Sequence, residues 1–328
     1  MVQLFSQAGI GWIKYPIWYA DGDTATADEL AWFTERLGNR GIQIVGVLDH
    51  PPEAKAKELF GDQGDLPSAF VFSEEESWTE LVNPIATRLS LKVRYWQLGG
   101  DEDLSFVGYP DLVETVNAVK VHLERFGQDV EVGVPWRWMN SKPTPNVEPW
   151  SFFSNVSDPP LTANELVKYL DVEPKKRHSQ WVMLTPLPAT TYSLDTRVRD
   201  LLIRMIAAKV GKAGVTFISN PFDDNVGLMR ADGSPGELFL PWRTGTRLLA
   251  GTEYVGQLQL PNGSENRVFA GRNTAVVAMW NEESIEETIY LGDPSKVKVI
   301  DVWGRMIPIE LEEKDGIVRQ RIHVNELP

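Results

Sequence analysis

The chain has 328 residues, 42% of them hydrophobic, with no cysteine and a formal charge of −14 at neutral pH. That length accommodates a barrel plus a smaller domain, or one large domain. The acidity argues against a nucleic-acid backbone or an anionic membrane as the main partner, and the missing thiols exclude disulfides, thiol catalysis and thiolate metal sites.

The opening Met1-Val2-Gln3-Leu4-Phe5-Ser6 has neither a basic n-region nor a long apolar h-region, and no run is long enough to span a bilayer. Leu4, Phe5 and Ala8 read as the end of an amphipathic helix. The sequence is therefore expected to begin inside a domain, which leaves the compartment, and a signal peptide further upstream, open. From residue 11 to about residue 230 strands and helices alternate, as in a parallel α/β sheet or barrel. Trp12 to Trp18 reads as a strand, Ala27 to Arg40 as a helix with Leu30, Phe33 and Leu37 on one face, and Ile42 to Leu48 as a buried parallel strand ending in Asp49 and His50. Trp78 to Arg88 and Pro110 to Phe126 read as helices around a strand at Val93 to Leu98. Further strands are expected at 130–135, 150–153, 181–184 and 215–218, with helices at 161–170 and 195–213. That makes seven strands.

Beyond about residue 236 the pattern becomes short alternating strands separated by turn residues, at 268–270, 275–280, 288–291, 297–302 and 317–324. These predict an antiparallel β-sandwich over 236–328, joined to a barrel over 1–235 by a linker helix at about 240–249. The sandwich reads as structural or accessory, and Asp301-Val302-Trp303-Gly304-Arg305 as a turn within it.

The segment Arg94-Tyr95-Trp96-Gln97-Leu98-Gly99-Gly100-Asp101-Glu102-Asp103 carries the most chemical information. A short apolar strand empties into three carboxylates, and the carboxyl ends of barrel strands are where such folds keep their chemistry. A solvated acidic loop is the plain alternative.

With Trp96-Gln97-Leu98-Gly99 ahead of these acids, the layout resembles the clan of retaining (β/α)8 glycosidases, in particular the β-xylosidase and iduronidase-like branch with a C-terminal β-sandwich. The resemblance spans most of the chain. It implies a TIM-type barrel whose first strand is absent from this chain, a carbohydrate substrate and hydrolysis of O-glycosidic bonds. In that clan the fourth strand ends Trp-x-x-Gly-Asn-Glu-Pro, with Glu as general acid/base. Here Gly100 replaces Asn and Asp101 replaces Glu, unless Glu102 takes the role. Asp is one methylene shorter, so its carboxyl sits about 1 Å further from a glycosidic oxygen. The clan's nucleophilic Glu ends the seventh strand, and the matching segment Gln180-Trp181-Val182-Met183-Leu184-Thr185-Pro186-Leu187 contains no carboxylate. A conventional retaining mechanism then lacks its covalent step.

Asp101 and Glu102 are the candidates for a general acid. Asp223 and Asp224, after the last barrel strand, are candidate bases for a water in an inverting mechanism, or simply turn residues. Lys14, Asp49, His50 and Gln97 stand at or near strand ends and are candidate substrate contacts, as are Trp18, Trp136 and Arg137. Twelve tryptophans suit a glycan cleft, where aromatic faces stack on sugar rings, and core packing is the plain alternative. Four scattered histidines give no metal spacing, and neither a metal nor another cofactor is expected. Asn155-Val156-Ser157 and Asn262-Gly263-Ser264 are sequons that matter only in a secreted eukaryotic protein. Two functions remain in view: a glycoside hydrolase, and a barrel that has lost its chemistry and serves as a glycan-binding or scaffolding module.

Overall fold

A computed structural model describes residues 2–62, 66–156, 159–172 and 179–328. Seven strands form one sheet whose order follows the chain: β1 (Trp12–Pro16), β2 (Gln43–Leu48), β3 (Tyr95–Leu98), β4 (Glu131–Arg137), β5 (Phe152–Val156), β6 (Ser179–Leu184) and β7 (Val215–Ile218). Pairing is parallel, with Lys14 opposite Val45, Val47 opposite Gln97, Gln97 opposite Gly133 and Gly133 opposite Phe152. The sheet is a near-closed barrel, and the fold is the expected TIM type.

Helices α1 (Val2–Gln7), α2 (Thr24–Gly38), α3 (Glu53–Phe60), α4 (Ser68–Val71), α5 (Glu75–Leu89) and α6 (Leu112–Leu123) intervene, followed by α7 (Ala163–Val172), α8 (Leu194–Val210) and α9 (Phe239–Leu249). The start of α2 is set by Asp23, whose carboxylate accepts the Thr26 backbone N–H at 3.1 Å, a capping bond that satisfies an otherwise orphaned donor. Helix α5 begins with Glu75 and Glu76 in its first turn and buries Trp78, Leu81, Val82, Ile85 and Leu89. Alternate strand residues divide between two cores, as a period of two requires. Ile44, Leu48, Trp96, Leu98, Val132, Val134, Trp136 and Phe153 pack outward with residues of α2, α5 and α6, whereas Val45, Phe152, Val156, Trp181, Met183 and Phe217 pack together on the other face.

By internal contacts the chain forms two compact units. The first contains β1–β7, apart from the last residues of β6 and β7, together with α1–α6; the second contains α7–α9 and everything from Ile218 onward. In the second unit β8 (Glu253–Gly256), β9 (Glu265–Ala270) and β10 (Ala275–Trp280) form one antiparallel sheet, with β9 central. Strands β11 (Ile285–Ile289), β12 (Val299–Ile300), β13 (Met306–Ile307), β14 (Glu310–Lys314) and β15 (Ile317–Val324) form a second sheet in the order β11-β15-β14 and a β12-β13 ribbon. A buried carboxylate ties this unit together: Glu287 of β11 is fully buried and accepts from the Ser264 backbone N–H and hydroxyl and from the Asn262 N–H. Asn262 in turn donates its amide to the Glu286 carbonyl at 2.6 Å.

Several boundaries differ from the sequence reading. Helix α3 was not among the expected elements; Pro51 and Pro52 precede it, and Pro52 caps it where no N–H is needed. Strand β5 starts at Phe152 rather than Trp150, so Ser154 and Asn155 are strand residues. The expected strand at 297–302 shrinks to Val299–Ile300, because a 3-10 turn over Pro294–Lys296 precedes it. Among the described residues, no helix is long and apolar enough to cross a membrane.

Candidate functional site

The floor of the barrel interior is aromatic. Trp12 of β1 meets Tyr95 of β3 edge-on at 4.7 Å and Trp181 of β6 at 5.3 Å, and Phe152 of β5 stacks on Trp181 at 3.6 Å with planes 12° apart. Gly133 of β4 makes room for this stack, since a Cβ there would lie 2.3 Å from the Phe152 ring.

Two residues further along the same strands the interior becomes polar. Lys14, Gln97 and Ser154 come from β1, β3 and β5 and Phe217 from β7, so this level is contributed by alternate strands, as barrel layers are. The Lys14 Nζ donates to Asp101 Oδ1 at 2.5 Å and to Ser154 Oγ at 2.6 Å, and stands 4.8 Å from the centre of the Phe217 ring. The same Oδ1 accepts from the Gln97 Nε2 at 3.1 Å and the Ser154 hydroxyl at 3.2 Å. The Gln97 amide also donates to the Gly99 carbonyl at 2.9 Å. Two acceptors in this cluster have no protein partner among the described residues: the buried Gln97 Oε1 and the second oxygen of Asp101. The Lys14 side chain is 9% exposed and that of Asp101 24%. Burial pushes the Lys14 ammonium below the usual lysine range, and the attraction and hydrogen bond of Asp101 offset this only in part.

The loop after β3 separates the three acids by role. Gly99 turns the chain with φ near +88°, where a Cβ would also lie 2.9 Å from the Ser68 hydroxyl, and its N–H bonds the Leu48 carbonyl at 2.8 Å. Asp103 accepts the Ser68 N–H at 2.7 Å and the Ser105 N–H at 2.8 Å, so it caps the short helix α4. Its half-buried position favours a raised pKa, but the Ser68 and Ser105 hydrogen bonds outweigh burial and hold it below the usual carboxylate range. Glu102 is exposed, and Asp101 alone points into the cluster.

The remaining candidates fall in distinct places. Asp49 follows β2, with its Cβ within 3.5 Å of where a Cβ on Gly100 would stand, and pairs loosely with the largely exposed His50 at 3.7 Å. Trp136 is 2% exposed and faces the outer core, edge-on to Phe153, with its indole N–H on the Asn140 carbonyl. It has no face left for a sugar, because the parity of β4 turns it away from the interior and gives Arg137 the opposite face. Trp138 is partly exposed and donates to the Pro159 carbonyl at 3.0 Å. Trp18 is half-buried against the outer core, and its indole N–H finds no acceptor among the described residues. Asn155 is buried with its amide on the Phe153 and Trp181 carbonyls, and Ser157 of its sequon lies outside the described residues.

Asp223 and Asp224 belong to the second unit. Asp223 accepts the backbone N–H groups of Asn225 at 2.8 Å and Val226 at 2.9 Å, and Asp224 that of Ala231 at 3.2 Å. The hydrogen bonds from Val226 and Asn225 hold the Asp223 carboxyl below its ordinary range, as in an Asx-turn. At the ends of β6 and β7, Thr185 and Ser219 share a hydroxyl hydrogen bond of 2.8 Å. Among the described residues no three His, Asp or Glu side chains gather as metal ligands.

Sequence reasoning missed Ser154 and Phe217. A polar residue two positions after a buried phenylalanine would have revealed Ser154 had β5 been started two residues later, at Phe152. Phe217 lay in an expected strand whose inward face was not assigned.

No family model and no curated protein matches the chain. Solved structures do. A family 39 glycoside hydrolase from the gut symbiont Bacteroides cellulosilyticus superposes with a TM-score of 0.70 at 14% identity, over 99% of this chain and 76% of that one. A GH30 endoxylanase from Clostridium papyrosolvens gives 0.69 at 11% identity, over 98% and 89%. An endo-β-1,4-mannanase from Thermotoga petrophila gives 0.53 at 12% identity, over 98% and 86%. At such identities the likeness shows the fold: a (β/α)8 barrel of the glycoside hydrolase type, with additional antiparallel sheets compatible with a C-terminal β-sandwich.

Proposed function

We propose that the chain binds a neutral carbohydrate at the mouth of its barrel and does not cleave it by a pair of carboxylates. One observation carries this reading: the position that would supply the proton donor is occupied by Asp101, and its Oδ1 is taken by Lys14, Gln97 and Ser154. An oxygen accepting three donors is an anchor for a buried ammonium, whereas a general acid must hold and release a proton of its own. The end of β6 supports the same reading, since Leu184-Thr185-Pro186 offers no nucleophilic carboxylate. Arg137, Asp49 and His50 are the proposed contacts to sugar hydroxyls, with Trp18 as the aromatic contact. Support for carbohydrate as the ligand class comes from the glycoside hydrolases whose fold this chain shares and from the net negative charge, which disfavours anionic polymers.

A second reading is favoured by the unengaged Oδ2 of Asp101. There this oxygen protonates a leaving group while a base activates water, in an inverting hydrolysis. Activated aryl glycosides separate the two, because such substrates need little acid assistance. Binding of oligosaccharides without turnover of any aryl glycoside supports the binding module. Turnover of any of them overturns it in favour of the hydrolase.

A further inference from the structure

Strand β10 has the composition of a sheet's centre and the position of its edge. Ala275-Val276-Val277-Ala278-Met279-Trp280 carries no charge, glycine or proline. Both of its faces are occupied: Val276 and Ala278 pack against Ile206, Leu249 and Phe269, and Met279 against Ile289, Ile322 and Val324. Its backbone is only half used. The Gly271 N–H bonds the Thr274 carbonyl at 2.8 Å, so in this register Val276, Ala278 and Trp280 aim their backbone groups at β9, whereas Ala275, Val277 and Met279 aim theirs away. The sheet order is β10-β9-β8, and among the described residues these outward groups meet no partner.

The other edges of the two three-stranded sheets are guarded, because an open edge is a template for pairing with another chain. Strand β8 carries a bulge between Tyr254 and Gly256, β11 has its Glu286 carbonyl taken by the Asn262 amide, and β14 presents Glu310, Glu312, Glu313 and Lys314. Strand β10 has none of these devices. Its open stretch is also bounded at both ends. The hairpin turn at Arg272-Asn273 precedes it, and beyond Trp280 the Asn281 N–H is taken by the Asn325 carbonyl at 2.8 Å. What stays open, from Ala275 to Met279, is symmetric about Val277.

We propose that this edge pairs antiparallel with the same edge of a second copy of the chain, about a two-fold axis at Val277. Val277 then lies opposite the partner's Val277 and Ala275 opposite the partner's Met279, so all three outward residues of each copy are satisfied by about six backbone hydrogen bonds. A two-fold of this kind keeps side chains on the same face of the joined sheet, as the packing on both sides of β10 requires. The flanks favour a second copy over an unrelated strand. In this register Arg272 falls opposite the partner's Glu282 at each end, and both side chains are exposed without an ion-pair partner among the described residues. Copies of net charge −14 repel in general, whereas this edge is uncharged and its two ends are complementary. The inference is independent of the carbohydrate reading of the barrel.

The chain has no cysteine, so single cysteine variants of the full chain report the pairing directly. Opposed residues of a hydrogen-bonded antiparallel pair have Cα atoms about 5.5 Å apart, within reach of a disulfide. Under mild oxidation Val277→Cys should therefore form a disulfide-linked dimer, whereas Met279→Cys, about 14 Å from its own copy in this register, should not. Sedimentation velocity of the wild type should show monomer passing to dimer across about 1–100 μM. Arg272→Glu, a change at an exposed turn, should raise the Kd of the dimer about tenfold, and the swap Arg272→Glu/Glu282→Arg should restore it. These two residues flank opposite ends of one strand, so rescue runs between copies. A wild type that stays monomeric throughout that range overturns the proposal. So do equal cross-linking of the two cysteine variants and a dimer indifferent to Arg272→Glu.

Discussion

The ammonium of Lys14 lies 2.5 Å from Oδ1 of Asp101, inside a barrel where the first is nearly sealed from solvent and the second keeps about a quarter of its surface. The two ends of this pair are therefore unequal. Asp101→Ala leaves a buried ammonium with only Ser154 and the Phe217 ring, and should cost about 3–5 kcal/mol of stability. Lys14→Met leaves a carboxylate that retains Gln97, Ser154 and water, and should cost clearly less. The double variant Lys14→Met/Asp101→Ala should be more stable than Asp101→Ala alone. Urea unfolding of the four proteins measures the cycle, and additive single effects would show that the pair is uncoupled.

The same pair sets the charge that a ligand meets. Glycosidases that use two carboxylates present negative potential to a positively charged transition state, so protonated iminosugars bind them more tightly than neutral sugars. Here Lys14 already neutralises Asp101. A piperidine iminosugar should bind within about tenfold of the corresponding neutral sugar, by competition against an oligosaccharide. A much larger preference for the cation would contradict the binding-module reading.

Acid should loosen the loop after β3. Asp103 has its carboxyl held below the ordinary value of 3.8 by the Ser68 and Ser105 hydrogen bonds. A depressed acid contributes stability that is fully present above its unfolded pKa and is lost as pH falls through the folded one. Asp103→Asn should therefore be less stable than wild type at pH 6, and the gap should close as pH falls below about 4. Thermal melts across that window provide the check.

A second titration acts nearer neutrality. His122 of α6 is buried, its Nε2 is 2.8 Å from the Asn83 side-chain oxygen, and desolvation, aided by Arg125, lowers its pKa below 6.5. The unfolded chain thus binds a proton that the folded chain resists, so stability should fall as pH drops through 6.5. His122→Gln should remove that slope between pH 7 and pH 5, whatever its effect at neutral pH. An unchanged slope would exclude this residue as its source.

Gly133→Ala should disrupt the floor of the barrel, since the added methyl meets the Phe152 ring at 2.3 Å. Overpacking of this kind costs about 1–3 kcal/mol and should also disturb the Phe152–Trp181 stack, which near-ultraviolet circular dichroism reports.

Much of this architecture was legible because strand and helix periods differ and the chain alternates between them. Seven barrel strands were expected, and among the described residues seven form one sheet in chain order. Asp101, Gln97 and Lys14 were singled out by their place at or near a strand end, although Lys14 lies in the middle of β1. Their convergence on one oxygen was not legible, because it depends on the stagger that brings β1, β3 and β5 to one level. The same stagger hid Ser154, whose strand begins two residues later than its aromatic run suggested. Trp136 shows the opposite limit: an aromatic residue near a strand end suits a sugar or a core equally, and only the parity of β4 decides between them.

The aromatic floor made by Trp12, Tyr95, Phe152 and Trp181 closes the barrel below Lys14. The lumen is consequently a blind cup. No polysaccharide strand can thread through it, so a long chain must lie across the mouth or insert only its end.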